Sequence, residues 1–193
     1  MTNHVENFIV IENVDNAVKK EIESIFQTEN EVVDTEILLK RIFKNINMND
    51  VDEDWMIENC GSPSFNGYIE SISNQRVVVI INSDLHPVNG LIMVLFEKLY
   101  LIKSDIVVHN TFEDEFYNFA GVYYVSDEYE NTKWLDIDNW NIPRISEDEE
   151  YRNYFHETLD NQLVSHKNIH REVIEEYKNE SFDESDQENL ETV

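Results

Sequence analysis

Side chains of the kinds that enzymes use for proton transfer lie near the ends of predicted strands: Asp84, His86, Asp105 and His109, with Ser83 beside the first. A histidine next to a carboxylate can act as a general base, and strand ends often gather functional side chains at one edge of a sheet. A small hydrolase or metal-dependent enzyme that uses Asp84, His86 and His109 is therefore one alternative. In the simpler interpretation, Ser83 and Asp84 cap the helix that follows and His109 ends a strand.

The spacing of some histidines and aspartates is similar to that of metal ligands. His166 and His170 are four residues apart on a predicted helix, which places two imidazoles on one face, but the glutamate of an HExxH motif is replaced by lysine. Asp136 and Asp138 begin a calcium-loop spacing that Trp140 breaks at the third ligand position, and no glycine follows. We therefore predict no dedicated metal site.

Thiol and nucleotide chemistry find little support in the sequence. Cys60 lies in a turn-like segment near Asp54 and Glu58, whose charges should raise the pKa of the thiol. The chain has only four glycines and contains no phosphate-binding loop or dinucleotide fingerprint. We predict no catalytic residue and no cofactor.

Carboxylates and aromatic rings occur together in the C-terminal half. Tryptophan and tyrosine are favoured anchors of protein interfaces, and a surrounding field of one sign selects an oppositely charged partner. The alternative is that these rings cover the sheet from a long loop. The predicted partner-binding residues are Glu113, Asp114, Glu115, Trp134, Asp136, Asp138, Trp140, Glu147, Asp148, Glu149 and Glu150.

Helical periodicity identifies the elements that would position these residues. Apolar residues at helical spacing predict helices over 13–26, 34–45 and 87–103, the last apolar nearly all round and therefore buried. Ser146 and Glu149 resemble a capping box that starts a long C-terminal helix.

Strand patterns predict a sheet between these helices. A hairpin over 67–72 and 77–81 and further strands over 105–109 and 120–125 are expected, with the β-branched run 77–81 at the centre of the sheet. The segments 49–66, 111–118 and 126–146 are interpreted as irregular. Strands on both sides of an apolar helix predict an α+β or α/β fold, with a central sheet and helices packed on it.

Composition predicts a folded body with an acidic tail. The chain of 193 residues is 41% hydrophobic and 11% aromatic, which suffices for one domain over 1–178, whereas 179–193 is acidic and nearly free of apolar residues and is expected to be disordered. A single cysteine and an N-terminus without a signal-peptide pattern predict a cytoplasmic protein, and no segment is long enough to cross a membrane.

The formal net charge of −27 indicates the kind of partner. Nucleic acid and anionic membranes should repel such a chain, so neither is an expected partner. The chain has 23 asparagines against nine lysines, which suggests that lysine is avoided and that the negative surface has a function. Acidity that serves only solubility, as in a scaffold or assembly component, is an alternative.

In general character the chain resembles the acidic DNA mimics of phages and mobile elements, and the immunity proteins that neutralise basic nucleases. The resemblance is one of composition, so it carries over no residues. It implies a non-enzymatic inhibitor that docks on a basic nucleic-acid-binding protein or nuclease, as an antagonist of host defence or as an immunity protein.

Truncation tests the predicted tail. Deleting residues 180–193 should leave the melting temperature nearly unchanged, because the segment has little apolar surface to bury. Calorimetry of the full-length and truncated proteins measures this. A large loss of melting temperature would show that the tail packs on the body.

Overall fold

The computed structural model describes residues 3–26, 31–163 and 165 of the chain. Within these ranges, seven strands form one sheet in the order β2-β3-β4-β1-β5-β6-β7, and all neighbouring strands are antiparallel. The strands are β1 (His4–Glu12), β2 (Val33–Asp34), β3 (Phe65–Ile72), β4 (Arg76–Asp84), β5 (Val107–Asp114), β6 (Ala120–Val125) and β7 (Glu130–Trp134).

Six helices accompany the sheet in the described part of the chain, which confirms the predicted α+β fold with helices on a central sheet and a C-terminal helix. None of them is long and apolar enough to span a membrane. The predicted tail 179–193 and the end of the predicted domain at 178 lie outside the described residues. The helices are α1 (Asn16–Phe26), α2 (Thr35–Ile42), α3 (Glu53–Cys60), α4 (Asn89–Tyr100), α5 (Ile142–Glu147) and α6 over 149–163.

One face of the sheet, here called the helical face, carries the main core. Side chains alternate along each strand, so every second residue of β1, among them Val5, Ile9 and Ile11, points to this face and is buried. The helices α1 to α4 cover it with their apolar stripes, such as Val18 and Ile22 of α1. The apolar stripe of each helix therefore marks the side that packs on the sheet.

The opposite face of the sheet is covered in part by the C-terminal elements. A second, smaller core joins Ala120 at the start of β6 to Ile145 of α5 and to Phe155 and Leu159 of α6. The sheet is thus packed on both faces at this end. This explains why β6 reads as an uninterrupted apolar run that is buried at every position.

The centre of the sheet differs from the sequence-based expectation. Its middle strand is β1, which the sequence analysis did not predict, and the run 77–81 lies in the neighbouring strand β4. The prediction missed β1 because Glu6, Asn7 and Glu12 interrupt its apolar residues, and Asn7 is nevertheless fully buried. The expectation that β4 is covered on both faces was right, since all five residues of 77–81 are buried.

Three segments interpreted as irregular contain regular structure. Helix α3 lies within 49–66; the Asp52 carboxylate accepts a hydrogen bond from Trp55 N at its start, and Gly61 ends it in the left-handed region with φ of 91°. Strand β5 continues into 111–118 as far as Asp114, and 126–146 contains β7 and most of α5. The predicted Ser146 cap was wrong, because the Asp148 carboxylate accepts from Tyr151 N and begins α6.

A buried asparagine joins the sheet to its longest apolar helix. The amide nitrogen of Asn7 donates to Ile81 O at 3.0 Å and to Ser83 Oγ at 2.9 Å, and its oxygen accepts from Val88 N at 3.2 Å and from Asn110 Nδ2 at 3.1 Å. Val88 is the N-cap residue of α4, immediately before the helix. A side chain on the middle strand thus satisfies a backbone donor at the start of the helix.

Replacing Asn7 by alanine should lower the free energy of unfolding by about 2–4 kcal/mol, because it leaves buried donors without acceptors and opens a cavity. Urea unfolding of the wild type and Asn7→Ala measures the loss. Asn82→Ala is the control: Asn82 lies on β4 but is half-buried, and its side chain makes no hydrogen bond within the described residues. A similar loss in both variants would contradict the role of Asn7.

Candidate functional site

The three residues of the enzymatic alternative do not converge. Asp84 lies opposite His4 and His109 lies opposite Val10 in the register of β1, six residues further along that strand, or about 20 Å at the rise of a strand. His86 is exposed beyond the end of β4. The structure therefore separates Asp84 from His109 by too great a distance for the three side chains to form one site.

The neighbours of Asp84 and Ser83 show what these side chains do. One carboxylate oxygen of Asp84 lies 3.0 Å from His4 Nδ1, and the other accepts a hydrogen bond from Ser64 Oγ. Ser83 Oγ donates to the carbonyl of His86 at 2.8 Å. Neither Ser83 nor Asp84 caps α4, so that interpretation was wrong; they hold the turn that precedes the helix.

The other candidates for chemistry are placed equally clearly. Cys60 is buried in the main core, and burial raises the pKa of its thiol to about 12, so the predicted direction was right and the cause is loss of solvent. Among the described residues, no three or more His, Cys, Asp or Glu side chains are arranged to hold a metal ion. The predicted pair His166 and His170 lies outside the described residues.

The predicted binding carboxylates divide by exposure. Asp114 is 1% exposed and accepts hydrogen bonds from Phe119 N and Asn118 Nδ2, so it shapes the turn between β5 and β6 and is unavailable to a partner. Glu113 pairs with His156, and Asp148 caps α6. The exposed members are Glu115, Asp136, Asp138, Glu147, Glu149 and Glu150.

The two predicted tryptophans have different roles. Trp134, on the edge strand β7, is 52% exposed and stands edge-on to Phe112 and Phe119 at centroid distances of 5.0 and 5.9 Å. Trp140 is half-buried against α6, 5.0 Å from the ring of Phe155. Trp134 therefore presents an aromatic surface to solvent, while Trp140 packs the small core. Of the two tryptophans, only Trp140 therefore fits the alternative in which these rings cover the sheet.

We define the acidic surface as Trp134 together with the exposed carboxylates Glu115, Asp136, Asp138, Glu147, Glu149 and Glu150. The elements that carry them meet at the small core around Ala120, where Tyr117, Leu135, Ile137 and Ile145 pack. Residues that span 36 positions of the sequence are thus brought to the β7 end of the sheet, with the ring of Trp134 on the helical face and α5 and α6 on the opposite face.

Charge is distributed unevenly between the C-terminal elements and the helices α1, α2 and α4. Residues 111–160 contain 14 acidic and three basic residues, and two of the three, Arg144 and Arg152, bond to Asp148 and to the carbonyls of α5. By contrast, residues 15–44 and 89–105, which include α1, α2 and α4, contain nine acidic and seven basic residues, and Lys98 pairs with Glu21 at 3.1 Å. The negative charge is therefore denser along the C-terminal elements than along α1, α2 and α4.

A cleft of about 180 Å³ beneath α6 was not predicted from the sequence. His156 Nε2 lies 3.1 Å from Glu113 Oε2, and this hydrogen bond raises the pKa of His156. Burial and the nearby Glu113 raise the pKa of Glu6. Alternation along β1 and β5 would have placed both glutamates on one face, but β1 had not been recognised. The cleft is lined by Glu6, Phe8, Thr111, Glu113, His156, Leu159 and Asp160.

From the ion pair between His156 and Glu113 we predict how the stability of the fold depends on pH. Because the folded pKa of His156 lies above the unfolded value of 6.5, the pair stabilises the fold fully below that pH, and the contribution is lost as pH rises through the folded pKa. The effect should stay below about 1 kcal/mol, since both side chains are partly solvated.

Urea unfolding at about pH 6 and about pH 8 measures this contribution. His156→Gln should remove part of the loss of stability that the wild type shows between the two pH values. His86→Gln replaces an exposed histidine that has no ion pair within the described ranges, so it should keep the wild-type dependence. Identical pH dependence in all three proteins would contradict the assignment.

Comparison of this chain with protein-family models, with curated proteins and with solved structures found no match. The acidic surface is therefore interpreted from its own residues. Its chemistry is that of exposed carboxylates and one exposed indole at the same end of the sheet, with Arg144 and Arg152 engaged by internal partners.

Proposed function

We propose that this protein is a non-enzymatic acidic binding protein that docks, through the acidic surface, on a basic surface of another macromolecule. The partner is a nucleic-acid-binding protein or a nuclease, and docking blocks its nucleic-acid groove. The observation that carries the proposal is the concentration of exposed carboxylates on α5, α6 and the turn that follows β7, at the end of the sheet where Trp134 of the edge strand is also exposed.

Electrostatics supports this choice of partner. A groove that binds nucleic acid recognises the phosphate backbone through lysines and arginines before it reads bases. Carboxylates held by α5, α6 and the turn before them offer charges of the same sign on a folded surface. The same field steers a basic partner and repels an acidic one, which favours fast and selective association.

Trp134 would add binding energy that the carboxylates alone do not provide. Large aromatic residues dominate the binding energy of many interfaces when they are desolvated on docking. Its ring is half-exposed, yet its contacts with Phe112 and Phe119 hold it in place. A preorganised ring loses little conformational freedom when it is buried by a partner.

Neutralising carboxylates on the acidic surface should slow association. The triple variant Glu147→Gln, Glu149→Gln and Glu150→Gln should lower the association rate constant several-fold, and raising the salt from 0.1 M to 1 M should do so more strongly, because the screening length falls from about 10 Å to about 3 Å. Surface plasmon resonance with the partner captured from the source cells measures both effects.

A second triple variant is the matched control. Glu53→Gln, Asp54→Asn and Glu58→Gln remove the same charge from exposed sites of α3, one of the helices that cover the helical face. Each set also removes two carboxylates from the first turn of a helix, so any cost through the helix dipole is similar. Equal slowing by both sets would indicate an effect of net charge alone, as expected if acidity serves only solubility.

Trp134→Ala should change the dissociation rate constant and leave the association rate constant nearly unchanged. Removing an anchor speeds dissociation while leaving charge steering intact, so the dissociation rate constant should rise at least about tenfold. Trp140→Phe is the control, because Trp140 packs internally and keeps an aromatic ring. A partner that is itself acidic, or binding that ignores salt and is not competed by duplex DNA or RNA, would overturn the proposed function.

A further inference from the structure

Strand β7 forms the outer edge of the sheet next to the acidic surface. It pairs with β6 on one side, and in the described part of the chain no strand pairs with it on the other. Leu135 N donates to Ala120 O and Ser126 N donates to Tyr129 O, which mark hydrogen-bonded pairs at the two ends of this ladder. Hydrogen-bonded pairs alternate in an antiparallel ladder, so Asn131 and Lys133 bond to β6.

The same alternation turns the backbone of Glu130, Thr132 and Trp134 outward. Their N–H and C=O groups make no hydrogen bond to any other described residue. The side chains of these residues point to the helical face, where Trp134 lies against Phe112. A row of unpaired donors and acceptors along such an edge is a template for another strand.

The two edges of the sheet differ in how far they are protected. At the far edge, β2 has only two residues and β3 carries a register irregularity between Ile69 and Ser71. Short edge strands and bulges discourage added strands. β7 pairs regularly with β6 over five residues and contains no proline. The edge beside the acidic surface is therefore the one that can accept a further strand.

The negative charge of β7 and its flanking residues determines which kind of strand could pair with it. Residues 127–138 contain Asp127, Glu128, Glu130, Asp136 and Asp138 against the single base Lys133. A second copy of this chain would bring two such segments together, each on a chain of net charge −27, and would be repelled. An extended segment rich in lysine or arginine is complementary in charge.

We propose that β7 binds its partner by strand addition, taking an extended basic segment onto the outward backbone groups of Glu130, Thr132 and Trp134. This inference rests on the proposed function and specifies its mode: the basic partner contributes a strand as well as a charged surface. Main-chain hydrogen bonds supply affinity, and the flanking carboxylates supply selectivity.

A synthetic peptide of about ten residues, the upper range of strand length, in which lysine alternates with valine, is the probe. Amide hydrogen exchange followed by NMR is the readout. In the free protein, the amides of Glu130, Thr132 and Trp134 should exchange faster than those of Asn131 and Lys133, and the peptide should protect the first three. Protection of the outward amides in the free protein, or no protection on adding the peptide, would overturn the inference.

Two control peptides separate strand addition from attraction of charge. A peptide in which lysine alternates with proline has the same charge but lacks half the donors of a strand, and should bind at least about tenfold more weakly. A peptide in which glutamate replaces lysine should not bind. Equal affinity for the valine and proline peptides would overturn strand addition and leave the proposed function intact.

A matched pair of variants tests the same point on the protein. Thr132→Pro removes an outward N–H without removing a donor from the β6 ladder, and should weaken binding of the lysine-valine peptide at least about tenfold. Thr132→Val keeps the N–H and should bind like the wild type. Protection of Asn131 and Lys133 verifies that the strand persists, and equal binding by both variants would overturn the inference. The triple variants described above test the proposed function separately.

Discussion

The buried amide of Asn7 is the constraint on which the arrangement of this fold depends. An uncompensated amide in a core costs about 1–3 kcal/mol, so Asn7 is tolerated only where all of its hydrogen-bonding groups are satisfied. Its partners lie on β4, on β5 and at Val88, the N-cap residue of α4. One side chain on the middle strand thereby couples strand register to the position of the longest apolar helix. Gly61 completes this junction, because a Cβ there would lie 2.5 Å from Pro87 O.

Once the helices α1 to α4 occupy one face, the distribution of charge follows from the layering. Acidic and basic residues are nearly balanced along α1, α2 and α4, while the carboxylates of α5, α6 and the turn that follows β7 gather around the small core at Ala120. Charges spread along the sequence thus become a directional field. A partner with a basic surface would approach the end of the protein where carboxylates, an exposed indole and an open strand edge lie together.

The same packing determines which carboxylates are used within the fold and which remain exposed to solvent. Asp114 and Asp148 form part of the structure, since one closes the turn after β5 and the other caps α6. Glu113 is held by His156, and burial together with the charge of Glu113 raises the pKa of Glu6 across the cleft. In the proposed function, the binding role falls to the carboxylates that remain exposed to solvent, because a charge already paired or buried contributes less to the long-range field.

The sequence by itself determined the fold class, most helices, the hairpin of β3 and β4 and the net charge, because these depend on composition and on periodicity within short segments. It could not place β1 at the centre, since Glu6 and Asn7 contradict the apolar pattern unless their partners are known. It also could not separate Asp114 from Glu115 or Trp134 from Trp140, which are alike in type and local context. Burial and pairing are properties of contacts between distant segments, such as Asn7 with Asn110 or Glu113 with His156. Only the tertiary structure decided them, because a side chain's environment is set by what the rest of the chain packs around it.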